Sequence, residues 1–112
     1  MRHRVAPHFS LLLMLACAVP TALADAALAK ARNCLACHQP DSKSVGPSYR
    51  DIARRYAGQA DAAPRLTQGI RFGSKGQWPA PAGGVALPMP PNPTVKPEEA
   101  ERLARWILAG AR

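Results

Sequence analysis

Cys34, Cys37 and His38 stand in the run Cys34-Leu35-Ala36-Cys37-His38, two thiols three positions apart with an imidazole directly after the second. Thiols at that spacing can add to the two vinyl groups of one porphyrin, and the imidazole then lies against its iron. The pentapeptide is therefore the attachment signature of a c-type haem. A neutral imidazole nitrogen is a good donor to iron, and covalent attachment next to it fixes where it sits. Other chemistries use similar residues. A dithiol redox pair belongs to a βαβ context, and no strand-rich apolar run is present. Structural zinc takes about four Cys or His ligands, and residues 25–112 contain only Cys34, Cys37 and His38. A disulfide between the two cysteines would close a very small loop and stabilise little.

The second axial donor decides what such an iron does, because an open position binds gases or peroxide while a closed one passes electrons. Met89 lies 51 positions after His38, in Pro88-Met89-Pro90-Pro91-Asn92. Prolines fix φ and remove backbone donors, so this segment is expected to be extended and stiff, with Met89 held out from the chain. A thioether opposite histidine favours ferrous iron and raises the potential. Most methionines fill gaps in cores, but Met89 is the sole methionine after residue 24. Lys75 or Lys96 is expected to replace it only at high pH.

These residues need elements to position them, and the first 24 residues are not among those elements. Arg2 and Arg4, the apolar run Phe9 to Val19 and the small residues Ala22-Leu23-Ala24 read as a secretory signal peptide, cleaved after Ala24. A buried N-terminal helix and a lipid-bearing Cys17 are the other readings of this stretch. Residues 25–112 form the expected functional domain. Losing Arg2 and Arg4 lowers the net charge from +8 to +6, so a small basic exported protein remains. At 112 residues the chain holds one small domain. Its aromatic content of only 5% leaves few large side chains for a core, so a cofactor is one candidate for the middle.

Helical periodicity runs through most of residues 25–112. Leu28, Ala31 and Leu35 recur at helical intervals, giving a short helix from Ala26 to about Cys34 that delivers the attachment motif. Ser48 can cap a second helix that runs through Tyr56 and stops at Gly58, with Tyr49, Ile52 and Tyr56 inward and Arg50, Arg54 and Arg55 in solvent. A third is expected after Asp61, with Leu66 and Ile70 inward and an end near Gly73. The last starts at Pro97, carries Glu98 and Glu99 at its positive end, and shows an apolar stripe of Ala100, Leu103, Ala104, Ile107 and Leu108. It should pack on the first helix, with Trp106 at the seam. Residues 73–97 are proline-rich and would read in isolation as a linker; a haem-covering loop is preferred because Trp78 and Met89 lie within it.

The chain resembles the short bacterial monohaem class I cytochromes c over nearly all of residues 25–112. The resemblance rests on Cys34 to His38, Val45-Gly46-Pro47-Ser48-Tyr49, Asp51-Ile52-Ala53, Gly73-Ser74-Lys75-Gly76 before Trp78, Met89-Pro90-Pro91-Asn92 and Leu103 to Leu108. It implies an all-α class I cytochrome c fold, about four short helices wrapped around one covalently attached haem c with an exposed edge. It also implies that the Pro47 carbonyl accepts from the second imidazole nitrogen of His38, that Trp78 approaches a haem propionate, and that Asn92 donates towards the Met89 sulfur. Residues 79–88 are several positions longer than the usual short pattern.

The expected function is a periplasmic one-electron carrier between respiratory donors and a terminal oxidase or reductase, not an enzyme. Cys34 and Cys37 attach the haem, and His38 and Met89 are the axial iron ligands. The basic surface favours redox partners with acidic docking patches. Nucleic acid is not an expected partner, nor is stable membrane insertion after cleavage; the protein is expected to be a monomer or an enzyme subunit. Two other readings are an electron-accepting subunit of a periplasmic dehydrogenase and a haem enzyme or gas sensor with a labile Met89.

Overall fold

The computed structural model describes residues 21–80 and 84–112, and the N-terminal part of the expected signal peptide lies outside the described residues. Four helices follow in order: α1 Thr21–Ala31, α2 Tyr49–Tyr56, α3 Ala62–Phe72 and α4 Pro97–Leu108, with a single 3₁₀ turn at Cys34–Ala36. No strand forms among the described residues, where an isolated β-bridge joins Ser74 and Met89. The fold is all-α, as expected.

α1 differs from the reading at both ends. It is already helical at Thr21, the first described residue, because the alanine-rich stretch through the expected cleavage point has high helix propensity in the uncleaved chain. It stops at Ala31 because Asn33 takes the left-handed conformation, with φ 61° and ψ 21°, which asparagine tolerates better than most side chains. The attachment motif thus forms its own turn after the helix, closed by Cys37 N–H and His38 N–H donating to the Cys34 carbonyl at 3.2 and 3.0 Å.

α2 starts where the Ser48 hydroxyl accepts from Asp51 N–H at 3.0 Å, a cap of the kind that contributes about 1 kcal/mol. Tyr49, Ile52 and Tyr56 are buried on its inner face, and the arginines Arg50, Arg54 and Arg55 are exposed. α3 buries Ala62 and Ile70 and half-buries Leu66, and it ends at Gly73.

α4 is the spine. Its stripe of Ala100, Leu103, Ala104 and Ile107 is buried, and the helix packs on α3, α2 and α1. Trp106 is buried as well, and its ring partner is Tyr49 of α2, met edge-on with centroids 5.3 Å apart. The start of α4 is tied to the attachment segment. Arg32 donates from Nε and Nη2 to the Glu99 carboxylate at 3.1 and 2.7 Å, while Glu99 Oε2 also accepts from Lys96 N–H at 3.0 Å. Those bonds hold the Glu99 carboxyl below its ordinary range, the Arg32 hydrogen bond being the larger cause. Arg102 similarly grips Asp25, the first residue after the expected cleavage, at 2.7 Å.

Candidate functional site

The helices enclose a cleft of about 900 Å³ whose lining includes Cys34, Cys37, His38, Pro47, Trp78 and Met89. One wall is the attachment turn. Leu103 and Ile107 of α4, with Tyr49, Ile52 and Tyr56 of α2, form an apolar floor. The opposite wall is the proline-rich segment, which leaves α3 at Gly73 and carries Trp78 and Met89.

His38 is oriented by its backbone surroundings. Its Nδ1 lies 2.7 Å from the Pro47 carbonyl oxygen. A carbonyl can only accept, so Nδ1 carries the proton and Nε2 keeps the lone pair a metal requires. This is the contact the resemblance implied. Gly46 is needed beside it, because a Cβ there would stand 2.6 Å from His38 Cε1. Cys34 and Cys37 are half-buried and not joined to each other; burial pushes the Cys34 thiol up.

Met89 is held by its own backbone, which the proline reading did not anticipate. Its N–H donates to the Ser74 carbonyl at 2.8 Å, and its carbonyl accepts from Ser74 N–H at 3.0 Å. The pairing is possible because Gly73 turns the chain at φ 81° and ψ 170°, a region essentially open to glycine alone. A Cβ on Gly73 would stand 2.7 Å from the Met89 carbonyl oxygen. Gly73→Ala is therefore expected to destabilise the protein by about 2–4 kcal/mol, the strain of that conformation plus the displaced backbone. It should also loosen Met89 before the rest of the fold. Chemical denaturation followed by helical circular dichroism and by a Met89-dependent optical band measures both; equal midpoints for variant and parent would remove Gly73 from this role.

Asn92 has partners that the resemblance did not name. Its Nδ2 donates to the Arg32 carbonyl at 2.9 Å, and its Oδ1 accepts from Thr94 at 2.6 Å. The bond to Arg32 uses one of the two amide hydrogens and leaves the other uncommitted, while Asn92 N–H donates to the Ile70 carbonyl of α3 at 3.2 Å. Trp78 is half-buried at the rim, with the Arg55 guanidinium 4.6 Å from its ring centroid. Of the two lysines, Lys75 lines the cleft and Lys96 does not. The extended segment 79–88 places exposed Val85 and Leu87 at the mouth; its middle, residues 81–83, lies outside the described residues.

Several contributors had no site role assigned from sequence, although Gly46, Gly73 and Ser74 were named within its motifs. Gly46, Gly73 and Ser74 act through the backbone, and Arg32 pairs with Glu99 across 67 positions. Gly46 and Gly73 carried local signals, one as a glycine directly before the proline whose carbonyl meets His38, the other as a helix end.

A family model described as Cytochrome c matches residues 24–111. The chain is 46% identical over 85 residues to cytochrome c2 of Rhodocyclus tenuis, which covers 76% of this chain and 90% of that protein. Among solved structures it is similar to wild-type cytochrome c552 of Nitrosomonas europaea, with a TM-score of 0.68, 48% identity, and coverage of 75% of this chain and 96% of that one. It is also similar to the class 1 cytochrome MtoD of Sideroxydans lithotrophicus ES-1, with a TM-score of 0.63, 31% identity, and coverage of 85% and 100%.

Proposed function

We propose a function from one premise: the chain belongs to the cytochrome c family, whose members carry one covalently bound haem c and transfer electrons. The side chains lining the cleft fit that group, since two thiols, an imidazole with a free Nε2 and a thioether face one largely apolar space. In our reading Cys34 and Cys37 would hold the haem covalently through thioether links, and His38 and Met89 would supply the ligands to its iron. The haem supplies a reversible one-electron change between ferrous and ferric iron.

The chain's own part is to keep that change small in geometry. Pro47 holds the imidazole in one tautomer, and the Ser74 pairing holds Met89, so neither donor has to move when the charge at the site changes. Ile52, Tyr56, Leu103 and Ile107 exclude water from the floor, which keeps the site's electrostatics strong. The observation that carries this reading is the convergence of Cys34, Cys37, His38 and Met89 on a single cleft from segments more than 50 positions apart.

The finer proposal is a periplasmic carrier, exported by cleavage of residues 1–24, working between respiratory donors and a terminal oxidase or reductase. Lys43, Arg65 and Lys75 outnumber Asp51 and Asp61 in the cleft lining, beside exposed Val45, Val85 and Leu87. An apolar mouth flanked by cations suits an acidic partner and predicts association that slows as salt rises. No described helix is long and apolar enough to cross a membrane.

The test is a reduced-minus-oxidised visible spectrum of the protein isolated from the periplasm, with its intact mass. The expected result is a c-type haem spectrum, a mass increased by one macrocycle, a near-infrared thioether-to-ferric-iron band, and no carbon monoxide binding to the reduced protein at neutral pH. A colourless product of unmodified mass would end the reading. Rapid carbon monoxide binding would favour the enzyme or sensor alternative.

A further inference from the structure

An imidazole bound to iron through Nε2 keeps one freedom, rotation about the iron–nitrogen axis, and that angle sets which way its π system points. In His38 the Pro47 carbonyl engages Nδ1 at 2.7 Å, but carbonyl oxygens accept over a broad range of directions. A hydrogen bond at one atom therefore locates the ring more firmly than it fixes its rotation. The flat side of the ring meets a second restraint. Tyr49 stacks on His38 with centroids 5.7 Å apart and planes 19° from parallel.

Tyr49 is itself immobilised. It is 1% exposed, and Trp106 abuts it at 63°. Its hydroxyl has no hydrogen-bond partner among the described residues, and neither has the Trp106 indole nitrogen. Burial, and secondarily the nearby Cys34, push the Tyr49 phenol well above its ordinary range. The ring is thus kept in place by packing, not by its oxygen, and it reaches from α4 to the imidazole as a rigid spacer.

We propose that Tyr49 is a positioning residue for His38: its ring, braced by Trp106, sets the rotation of the imidazole that Pro47 tethers and Gly46 leaves room for. The proposal rests on the reading of His38 as an axial ligand. A helix packed for stability then also fixes an electronic property of the site, because α4 acts on the imidazole through the Trp106–Tyr49 contact.

The test uses the oxidised haem-loaded protein, with the hyperfine-shifted haem-methyl proton resonances and the electron paramagnetic g values as readouts of imidazole orientation. Tyr49→Phe should keep the parent pattern, since the hydroxyl holds nothing. Tyr49→Leu should change the order or spread of the methyl shifts and the g values. Trp106→Leu, which spares the stacked ring but removes its brace, should give a smaller change in the same direction and keeps the idea testable if Tyr49→Leu fails to fold. Val95→Ala, at a buried position off the cleft lining, should lower stability and leave both readouts alone.

Parent-like shifts in Tyr49→Leu or, should that variant fail to fold, in Trp106→Leu would overturn the proposal. So would an equal change in Tyr49→Phe, or one in Val95→Ala, because the effect would then belong to the hydroxyl or to general loosening. Failure of the underlying reading looks different: the parent itself would lack a low-spin ferric signal.

Discussion

A chain with Cys34→Ser and Cys37→Ser, exported without an attached macrocycle, is expected to lose most of its helical circular dichroism at 25 °C and its cooperative thermal transition. The reason lies in what the helices have to pack against. Of the twelve buried hydrophobic residues among the described ones, Ala29, Ala62, Ala100 and Ala104 are alanines, so helix meets helix closely but little bulk fills the centre. The large side chains Ile52, Tyr56, Leu103 and Ile107 instead turn one face to the cleft. Without the macrocycle the open cleft of about 900 Å³ takes up water, which meets its apolar lining. Small domains are stable by only ~5–15 kcal/mol. The helices then lack a partner, and isolated helices of 8 to 12 residues are marginal in water. A helical spectrum with a sharp melting transition from the haem-free chain would show that the protein stabilises itself.

The same composition explains which parts of the molecule were legible in the sequence. Helices α2, α3 and α4 were readable because their signals are local: Ser48 at a cap, Gly58 and Gly73 at ends, Pro97 at a first turn, and apolar residues at helical spacing. The attachment motif was readable because its chemistry requires contiguous residues. The first helix was misplaced at both ends, since alanine-rich sequence has no boundary of its own and the terminating left-handed conformation falls on Asn33, not a glycine. The proline-rich wall was legible as an extended segment but not as a paired one. The Ser74 bridge to Met89 joins residues 15 positions apart through backbone atoms, and side-chain identity does not report such a bond. Asn92 shows the reverse case. Its donor capacity could be read, but its partner, the Arg32 carbonyl, depends on how the loop returns to α1.

The largest change in chemistry is expected from Met89→Ala. The pairing with Ser74 uses only backbone atoms, so alanine at 89 keeps the wall in place and removes the thioether alone. Helical content should stay at the parent level while the reduction potential falls by a few hundred millivolts, a sizeable part of the roughly 0.8 V that axial ligands span. Loss of a soft donor that favours ferrous iron sets the direction. The near-infrared band should vanish and the reduced protein should bind carbon monoxide. Lys75 lines the same cleft, so its amine, a donor to iron only when neutral, is the group within reach of the vacated position at high pH. Carbon monoxide binding by Met89→Ala should therefore weaken at high pH, and a further Lys75→Ala substitution should restore it. Potentiometry with carbon monoxide titration across pH reads all of this. A Met89→Ala protein with the parent's potential and spectrum would assign the sixth position to another residue. An unchanged response after Lys75→Ala would leave Met89 in place but remove Lys75 as its substitute, showing that proximity within the cleft is not enough to make a ligand.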